Sequence, residues 1–449
     1  MADSSSMFIC YILELLKWNG DAESLKLYYP TVKRAAEWQM NVSATYGVPF
    51  KLQTTYDILG FTKYELSSYS SVFHIMAMRA AAELATAAGD AAAAAAFSAA
   101  AARGTASLDQ LQWVNQSQWS ANTTMYCPDD YSYIGAGFTA DTCQAECTGS
   151  CTDVFLSTGG RGDCYTCANG AAWGYSKDYT LYSKSGAVQG SWAAASDGCT
   201  DKQGCTTQHG FFGDALYAQV LAYSAGLGTL VSSEEKLKSH LAAELATNCA
   251  HAVGENLVAG CDKAGIVILT GRPTPGVTDW QIWEGGAPNH ATVAIRSGEA
   301  PATALENFRK SATSWSERVN DQWNTAGIKD TDGYPTVTSH YGFHMVSWHV
   351  PLAISGQLAD LSSPAARSLT FAPAISAPFS LPLMLPGVLG TVSAKQDPGS
   401  NPPTCTYVVA LTIGALELDT LSVHGAKATG ATTSLIAGGA PAIIKGAKC

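Results

Sequence analysis

QTTYDILGFTKY, residues 53–64, is the stretch around which the rest of the chain is organised. It places Asp57 directly after an aromatic residue, Tyr56, and two threonines, and a helix rich in small residues follows it as far as Gly89. A carboxylate at the tip of a short loop, backed by a rigid helix, is well placed to donate a proton. The alternative is that Asp57 caps a helix, which is the commoner role of an aspartate in that position.

Length and charge restrict the classes of protein to which the chain can belong. Its 449 residues can form one large domain or two to three smaller ones. The net charge of -11 and a pI near 5.2 leave no basic face for phosphates, so a nucleic-acid partner is not expected. No uninterrupted apolar segment reaches the ~18 residues of a membrane span, so no transmembrane segment is predicted.

Thirteen cysteines, many of them between Cys127 and Cys205, are typical of an oxidised framework. Glycosylation sequons begin at Asn41, Asn115 and Asn122. Together these features predict passage through the secretory pathway or an extracellular location. The competing interpretation is a cytosolic protein with chance sequons.

The first residues match the pattern of a signal peptide poorly. They lack a basic segment, and the apolar part that follows is interrupted by Glu14 and Lys17. We therefore expect the natural chain to begin upstream of Met1.

Helix signals dominate the chain up to residue 112. Apolar residues at helical spacing predict a first helix that ends near Asn19, and Asp21 is predicted to cap a second one, which Pro30 breaks. From Tyr64 a long helix carries Tyr69 on its apolar stripe, and Asp90 is predicted to cap the next helix.

Helical periodicity returns after a cysteine-rich stretch and gives way to strands after Pro364. The helical stretches are residues 211–225, 233–251, 280–297, 302–323 and 341–361, with no strand pattern between them. The expected fold is mainly α: an (α/α)6 toroid-like helical domain, truncated at its N-terminus, with a small disulfide-rich insert and a short C-terminal β unit. The expected boundaries are 1–122 for the first part of the helical domain, 123–206 for the insert, 207–365 for the second helical part and 366–449 for the β unit.

The insert contains Cys127, Cys143, Cys147, Cys151, Cys164 and Cys167 in a Gly/Ser/Thr/Tyr-rich stretch, too polar for a large apolar core. Six cysteines allow 15 pairings, and the sequence does not choose among them. Their spacing and the closing Tyr-Thr-Leu-Tyr-Ser resemble apple-like or PAN-like modules, which implies a possible glycan or protein contact through the insert. A zinc site that uses Cys164 and Cys167 is the competing interpretation.

An ordered series of motifs resembles the catalytic domain of glycoside hydrolase family 116, which includes bile-acid β-glucosidases, or non-lysosomal glucosylceramidases. The resemblance covers most of residues 7–362 outside the insert. The motifs are Gly20-Asp21, Tyr29-Pro30-Thr31-Val32-Lys33, Thr55-Tyr56-Asp57 with Gly60 and Tyr64, Gly89-Asp90, Gly213-Asp214-Ala215-Leu216-Tyr217-Ala218-Gln219, Ile282-Trp283-Glu284-Gly285 and Trp348-His349-Val350-Pro351-Leu352-Ala353-Ile354.

The resemblance implies a toroid, a retaining mechanism and a β-linked glycoside or glycolipid as substrate. By position, Asp57 matches the family's general acid/base and Thr55 a residue that contacts the sugar, with Tyr56 between them. Asp214 matches a motif that lines the cleft. Retaining hydrolysis also needs a second carboxyl group about 5 to 5.5 Å from the first.

Two family features are not found in this chain. The nucleophilic glutamate lies well upstream of the Thr-Tyr-Asp motif in the family, in a part that would precede Met1. The sugar-binding Glu and Arg before the last helix are not recognisable either, and His344 is the nearest substitute for the Arg.

A second candidate carboxylate is Glu284, which lies between Trp283 and Gly285. An aromatic-flanked glutamate beside a glycine suits a sugar cleft, so Glu284 is a candidate for the missing role, for a substrate contact or for a plain helix cap. Trp283 is correspondingly a sugar-stacking candidate or a core residue.

Two places in the sequence resemble metal-binding patterns. His340 and His344 have ligand spacing on a helix, and His349 follows, but no metalloprotease glutamate accompanies them. The segment from Asp330 resembles the start of a calcium loop, but Tyr341 takes the place of the required glutamate. The sequence therefore predicts no metal and no cofactor.

The function that follows is a retaining β-glycosidase with Asp57 as general acid/base. The alternative is a non-catalytic extracellular glycan-binding protein on the same fold.

Overall fold

The computed structural model describes residues 2–52, 54–55, 66–114, 119–122, 125–126, 131–146, 153–157, 161–167, 174–175, 179–184, 190–197, 207–209, 211–248, 269–270, 281–283, 285–313, 328–330, 346–400, 402–428 and 433–449. The helices in these ranges are α1 (Ala2–Asn19), α2 (Ala22–Val42), α3 (Ser68–Ala87), α4 (Ala91–Gln112), α5 (Ala140–Ala145), α6 (Tyr217–Ser224), α7 (Glu234–Asn248), α8 (Gly286–Arg296), α9 (Pro301–Thr313) and α10 (His349–Ser355). None of these helices is long and apolar enough to cross a bilayer.

Short strands occur between the helices as well as in the insert. They are β1 (Leu66–Ser67), β2 (Trp113–Val114), β3 (Trp119–Asn122), β4 (Met125–Tyr126), β5 (Tyr131–Gly135), β6 (Asp153–Ser157), β7 (Cys164–Cys167), β8 (Gly174–Tyr175), β9 (Tyr179–Lys184), β10 (Ser191–Trp192), β11 (Ala195–Asp197), β12 (Thr207–His209), β13 (Phe211–Phe212), β14 (Leu269–Thr270), β15 (Gln281–Trp283) and β16 (Ile328–Asp330). The C-terminal strands are β17 (Leu358–Asp360), β18 (Ser368–Phe371), β19 (Phe379–Leu385), β20 (Val388–Gln396), β21 (Thr404–Ile413), β22 (Ala415–Leu418), β23 (Thr420–Val423), β24 (Ala426–Lys427), β25 (Thr433–Ile436) and β26 (Ala442–Lys448).

Helices α1, α3, α6 and α8 form an inner layer and run in the same direction. The first turns of α1 and α3 meet where the Tyr69 hydroxyl donates to Asp3 Oδ2. Their last turns meet in an ion pair between Lys17 and Glu83, 2.6 Å from Nζ to Oε2. Farther along the layer, the rings of Phe73 in α3 and Tyr217 in α6 lie 5.8 Å apart. Asn289 in the first turn of α8 donates to Asp214 just before α6, at 2.6 Å, so all four helices present their N-terminal ends at one end of the layer.

The outer helix α2 runs antiparallel to α1. Gln39 near the end of α2 donates to the hydroxyls of Ser5 and Ser6 near the start of α1, at 2.9 and 3.0 Å. Asp90 at the start of α4 accepts from Lys33 in α2, at 2.7 Å. Two layers of opposed helices enclose a core in which α3 is buried on nearly every face. Its alanines and serines let the neighbouring helices approach closely.

The C-terminal strands form a second core that packs on the helices. One sheet has the order β17-β18-β23-β24, another has the order β19-β20-β21-β26, and β22 pairs with β25. Trp18 at the end of α1 and Leu352 in α10 belong to the same buried cluster as these strands. Gln357 joins the two parts because its side-chain amide makes two hydrogen bonds with the backbone of Met384, at 2.7 and 3.1 Å.

The insert contains a five-stranded sheet with the order β3-β9-β6-β7-β5. A disulfide between Cys143 and Cys164 joins α5 to β7, and Cys167 is also disulfide-bonded. The prediction of disulfides is confirmed for these cysteines, and the zinc alternative at Cys164 and Cys167 was wrong. A further disulfide joins Cys405 to Cys449 in the C-terminal part.

The prediction of a mainly α, toroid-like chain was wrong, because the protein is a mixed α/β structure with several sheets. The absence of a strand pattern between the helical stretches misled the interpretation. Strands β13 and β15 lie where helix was expected and pair with β14 and β16, which are distant in the sequence. Pairs of two or three residues are too short to show the alternation that identifies a strand. The division of the chain at residues 122, 206 and 365 stays a prediction.

Gly356 joins α10 to the C-terminal sheets, and replacing it with alanine is expected to destabilise the protein. Its φ of +61° is left-handed, and an added Cβ would lie 2.2 Å from the carbonyl oxygen of Ala372. The Ala372 carbonyl is part of the backbone and cannot move aside as a flexible side chain would. We therefore expect Gly356→Ala to lower the free energy of unfolding by roughly 2–4 kcal/mol. Urea unfolding followed by circular dichroism measures the change.

Gly387→Ala is the matched control. Gly387 has a φ of +71° with no atom within 4 Å of the added Cβ, so only the backbone strain of roughly 1–2 kcal/mol applies. Equal losses in the two variants would contradict the steric argument at Gly356.

Candidate functional site

Polar side chains from several elements converge at the N-terminal end of the inner layer. Asp3 lies in the first turn of α1, Tyr69 in the first turn of α3, Asp214 just before α6 and Asn289 in the first turn of α8. All four are buried. Helix N-termini carry partial positive charge, which favours carboxylates at this end of the layer.

Asp3 anchors the segment that contains Thr55. Asp3 is fully buried, and its Oδ2 accepts hydrogen bonds from the backbone N–H of Thr55 at 2.9 Å, from the Thr55 hydroxyl and from the Tyr69 hydroxyl at 3.3 Å. Its Oδ1 accepts from the backbone N–H of Ser4 at 3.0 Å. One carboxylate therefore ties the loop before α3 to the starts of two helices.

Asp214 is held by the start of α8. The side-chain amide of Asn289 donates to Asp214 Oδ1 at 2.6 Å, and the backbone carbonyl of Asp214 accepts from the N–H of Tyr217 at 3.0 Å. Asp214 is 3 % exposed. Its side chain is thus fixed between α6 and α8, at the same end of the layer as Asp3.

The two carboxylates share an electrostatic environment with Tyr69. Burial raises the pKa of the Tyr69 phenol well above its usual value, and the negative charges of Asp3 and Asp214 raise it further. The phenol therefore stays protonated at any physiological pH. It can act as a hydrogen-bond donor to a carboxylate and not as a base.

Several polar atoms beside this cluster have no hydrogen-bond partner within the part of the chain that the structure describes. They are the hydroxyls of Ser67, Ser68 and Ser70 at the start of α3 and the Oδ1 of Asn289. Buried polar atoms in folded proteins are usually hydrogen-bonded to protein, water or ligand. A ligand rich in hydroxyl groups matches such a set, because each hydroxyl both donates and accepts.

A second polar network lies deeper in the inner layer, around Glu14 of α1. Burial raises the pKa of Glu14 to about 7, although a hydrogen bond with Ser224 of α6 opposes the shift. The Ser224 hydroxyl in turn lies 3.3 Å from Nδ1 of His349. Burial, together with the positive charge of Arg296, lowers the pKa of His349 to about 4. At neutral pH the imidazole is therefore uncharged.

Replacing Glu14 with glutamine is expected to stabilise the protein more at high pH than at low pH. The raised pKa of Glu14 means that its neutral form stabilises the fold below pH 4.5, and that this contribution is lost as the pH rises through about 7. Glutamine is neutral throughout, so the stability of Glu14→Gln relative to wild type should grow by on the order of 3 kcal/mol between pH 4.5 and 8. Urea unfolding at several pH values measures this difference. A pH-independent difference would contradict a buried, titrating Glu14.

The residues predicted from the sequence are only partly within the described structure. Thr55 is exposed and hydrogen-bonded to Asp3, and Asp214 is buried beside Asn289. Trp283 ends strand β15, where its backbone pairs with Ile328. The other predicted site residues lie outside the described residues: Tyr56, Asp57, Glu284 and His344.

The structure adds three residues to the site that the sequence did not indicate. Tyr69 was assigned to the apolar stripe of its helix, where it is indeed buried, but its hydroxyl faces Asp3. Asp3 and Asn289 belong to none of the sequence motifs. Asn289 lies five residues after Glu284 in the sequence, and this proximity was the only available signal.

No arrangement of three or more His, Cys, Asp or Glu side chains suited to a metal ion occurs within the described ranges. His349 contacts Ser224 and the ring of Trp348, which lies 4.2 Å from it. His340 and His344 lie outside the described residues, so the metal interpretation of these histidines is not tested.

Removing the charge of Asp3 is expected to loosen the Thr55 segment. Three donors now converge on Oδ2 of Asp3. The NH2 group of an asparagine cannot accept hydrogen bonds from them, and its single oxygen is a weaker acceptor than a carboxylate. Asp3→Asn should therefore lower the free energy of unfolding by about 2–4 kcal/mol. Limited proteolysis should then cut faster between residues 52 and 66, and urea unfolding should give the loss of stability.

Asp21→Asn is the control for the Asp3 variant. Asp21 caps α2 by accepting from the N–H of Ser24 at 2.9 Å, and asparagine caps a helix about equally well. If both variants kept wild-type stability and proteolysis rates, Asp3 would not be an anchor.

Comparisons with known proteins identify no family for this chain. No protein-family model matches it, and no curated protein matches it. Among solved structures it is similar to a GH78-family rhamnosidase of Bacillus sp. GL1, with 10% identity and a TM-score of 0.46. The alignment covers 94% of this chain and 33% of that structure, so the chain spans about a third of its length. A similarity of this size supports no assignment of family, activity or substrate.

Proposed function

We propose that the protein is a retaining glycosidase that hydrolyses β-linked glucosides or related glycolipids, with Asp57 as general acid/base. The sugar site would lie at the N-terminal end of the inner layer. Its sugar-contacting residues would be Thr55, Tyr56, Asp214, Trp283, Glu284 and His344.

The sequence motifs support the choice of reaction. The Thr55-Tyr56-Asp57 motif and the Gly213-Asp214 motif resemble family 116 glycoside hydrolases, and they are far apart in the chain. Thr55 and Asp214 belong to the same end of the inner layer, the first through Asp3 and the second through Asn289. A catalytic site would need these two motifs close together, and their positions are compatible with a single site.

The observation that carries the proposal is the set of buried polar atoms at the start of α3 and α8. The hydroxyls of Ser67, Ser68 and Ser70 and Asn289 Oδ1 have no partner among the described residues. Ser68 and Ser70 flank Tyr69, whose hydroxyl donates to Asp3, and two residues of extended chain from Thr55 to Asp57 reach at most roughly 7 Å. A sugar beside Asp57 would supply hydroxyl groups to such atoms.

The mechanism requires Asp57 to hold its proton near neutral pH. Burial and neighbouring negative charge both raise the pKa of a carboxyl group. Asp3 and Asp214 supply buried negative charge near Thr55 and would favour the protonated acid. The acid protonates the leaving oxygen while a second carboxylate attacks the anomeric carbon, and the first then activates water. We assign no residue to the second carboxylate.

The test is hydrolysis of aryl β-glucosides by the protein expressed from its complete gene. We expect turnover with retention of the anomeric configuration, followed by NMR of the first-formed sugar. No hydrolysis of any aryl β-glycoside in a panel of sugars would refute the glycosidase. Binding of the same sugars by calorimetry without turnover would favour the alternative, a non-catalytic glycan-binding protein.

We also propose that the protein functions in an oxidising compartment, in the secretory pathway or outside the cell. The disulfides Cys143–Cys164 and Cys405–Cys449 support this location, because cytosolic thiols are kept reduced. Asn41 of the first sequon is exposed near the end of α2, where a glycan could be attached.

A further inference from the structure

The edge strand of the insert exposes two tyrosines on one face. β5 is the last strand in the order β3-β9-β6-β7-β5, and Tyr131 and Tyr133 are 48% and 57% exposed. Residues two apart in a strand point to the same side, roughly 6.7 Å from each other. The two phenol rings therefore form a continuous aromatic surface, which we call the tyrosine platform.

Aromatic rings of the neighbouring strands pack beside the platform on the same face of the sheet. Tyr165 in β7 is the direct cross-strand partner of Tyr133, and its ring lies 5.1 Å from that of Tyr133 and 5.6 Å from that of Tyr131. Phe155 in β6 stacks on the other side of Tyr165 at 4.4 Å, with the planes 5° apart, and is 2% exposed. Because packing already fixes the exposed rings, little conformational entropy remains to be lost on binding.

The turn that contains Arg161 and Asp163 lies at one end of the platform. The Tyr133 hydroxyl donates to Asp163 Oδ1 at 3.5 Å, and Arg161 lies two residues before Asp163. The turn between them is fixed: Gly162 has a φ of +61°, and an added Cβ would lie 2.5 Å from the carbonyl oxygen of Phe138. The backbone N–H of Asp163 also donates to the Ser157 hydroxyl at 2.9 Å. The carboxylate is thus a positioned hydrogen-bond acceptor beside the rings.

We propose that the tyrosine platform binds an uncharged sugar residue of a glycan, separately from the site at the helix ends. Aromatic faces stack on the C–H face of a sugar ring, and Asp163 would accept from its hydroxyl groups. Charge argues for an uncharged ligand: the opposite charges of Arg161 and Asp163 cancel locally, and the net charge of -11 repels a polyanion. The insert would hold the protein on a glycan surface.

The test is retention of the whole protein by insoluble neutral polysaccharides: cellulose, mannan, starch and chitin. We expect wild type to be retained by at least one of them, and Tyr131→Ala and Tyr133→Ala to weaken retention at least tenfold. Tyr133→Phe keeps the ring and should keep most of the retention. Tyr28→Ala is the control, because Tyr28 is 37% exposed on α2 and should not contribute.

Three outcomes would overturn the proposal: no retention of wild type by any of the four polysaccharides, equal retention of the alanine variants, or retention only by heparin that high salt abolishes. Melting temperatures show whether each variant folds. The Asp57→Asn variant separates the two proposals. It should lose hydrolysis and keep retention, since the platform does not include Asp57.

Discussion

Asp57→Asn should lower kcat/KM for an alkyl β-glucoside by a factor of about 10² to 10⁴, which is the usual contribution of general acid catalysis. The loss should be smaller with a dinitrophenyl glucoside, because that leaving group departs with little help from a proton. The alkaline limb of the pH profile of kcat/KM should also disappear, since it reports the ionisation of the acid in the free enzyme. Steady-state kinetics over a range of pH with both substrates measure these effects.

The second half of the reaction offers an independent check. With the activated substrate, breakdown of the covalent intermediate should limit Asp57→Asn, because no base activates water. A small anion such as azide needs no base and should restore turnover while forming a glucosyl azide. Asp21→Asn should behave as wild type in all these assays. Equal activity of Asp57→Asn and wild type on the alkyl glucoside would remove Asp57 from the mechanism.

Local sequence signals predicted the caps of α2 and α4. Asp21 and Asp90 were expected as caps, and each accepts a hydrogen bond from the backbone N–H three residues later. The first helix ends at Asn19 as expected. These features depend on residues close together in the sequence, so the pattern contains the necessary information.

Pro30 shows where local rules failed. It was expected to break the second helix, but α2 continues through it from Ala22 to Val42. Tertiary contacts on both sides of the proline explain the difference: Tyr29 and Lys33 both donate to Asp90, at 3.0 and 2.7 Å. Contacts of this kind offset the hydrogen bond that proline cannot donate.

Motifs marked only two residues of the candidate site. Thr55 and Asp214 were found from motifs, but the contact between Asp3 and Thr55 joins residues 52 positions apart and leaves no periodic pattern. The same holds for Asn289 and Asp214, which are 75 positions apart. Such pairs follow from the packing of the inner helices, which the sequence alone did not fix.

Acidification should unfold the protein between about pH 6.5 and pH 4, because three buried histidines must bind protons. Burial lowers the pKa of His74 to about 4 and that of His240 to about 3, with smaller effects from Arg103 and His290; His349 is likewise lowered to about 4. Unfolded histidine has a pKa near 6.5. The unfolded state therefore binds more protons than the folded state in this window, and the free energy of unfolding falls as the pH falls.

The free energy of unfolding that is lost on acidification is comparable to the total stability of a typical domain. Each histidine contributes on the order of 3 kcal/mol once the pH is below its folded pKa, and three together rival the 5–15 kcal/mol of a typical domain. The opposite contribution of Glu14 offsets about one of them.

Circular dichroism at 222 nm as a function of pH should show cooperative loss of helix. His74→Gln, which stays neutral beside Ser43 and Gln39, should reduce the net pH dependence by about half, because Glu14 already offsets one of the three histidines. His424→Gln, at an exposed position, should leave it unchanged, and an identical pH dependence in His74→Gln would show that His74 is not among the groups that drive unfolding.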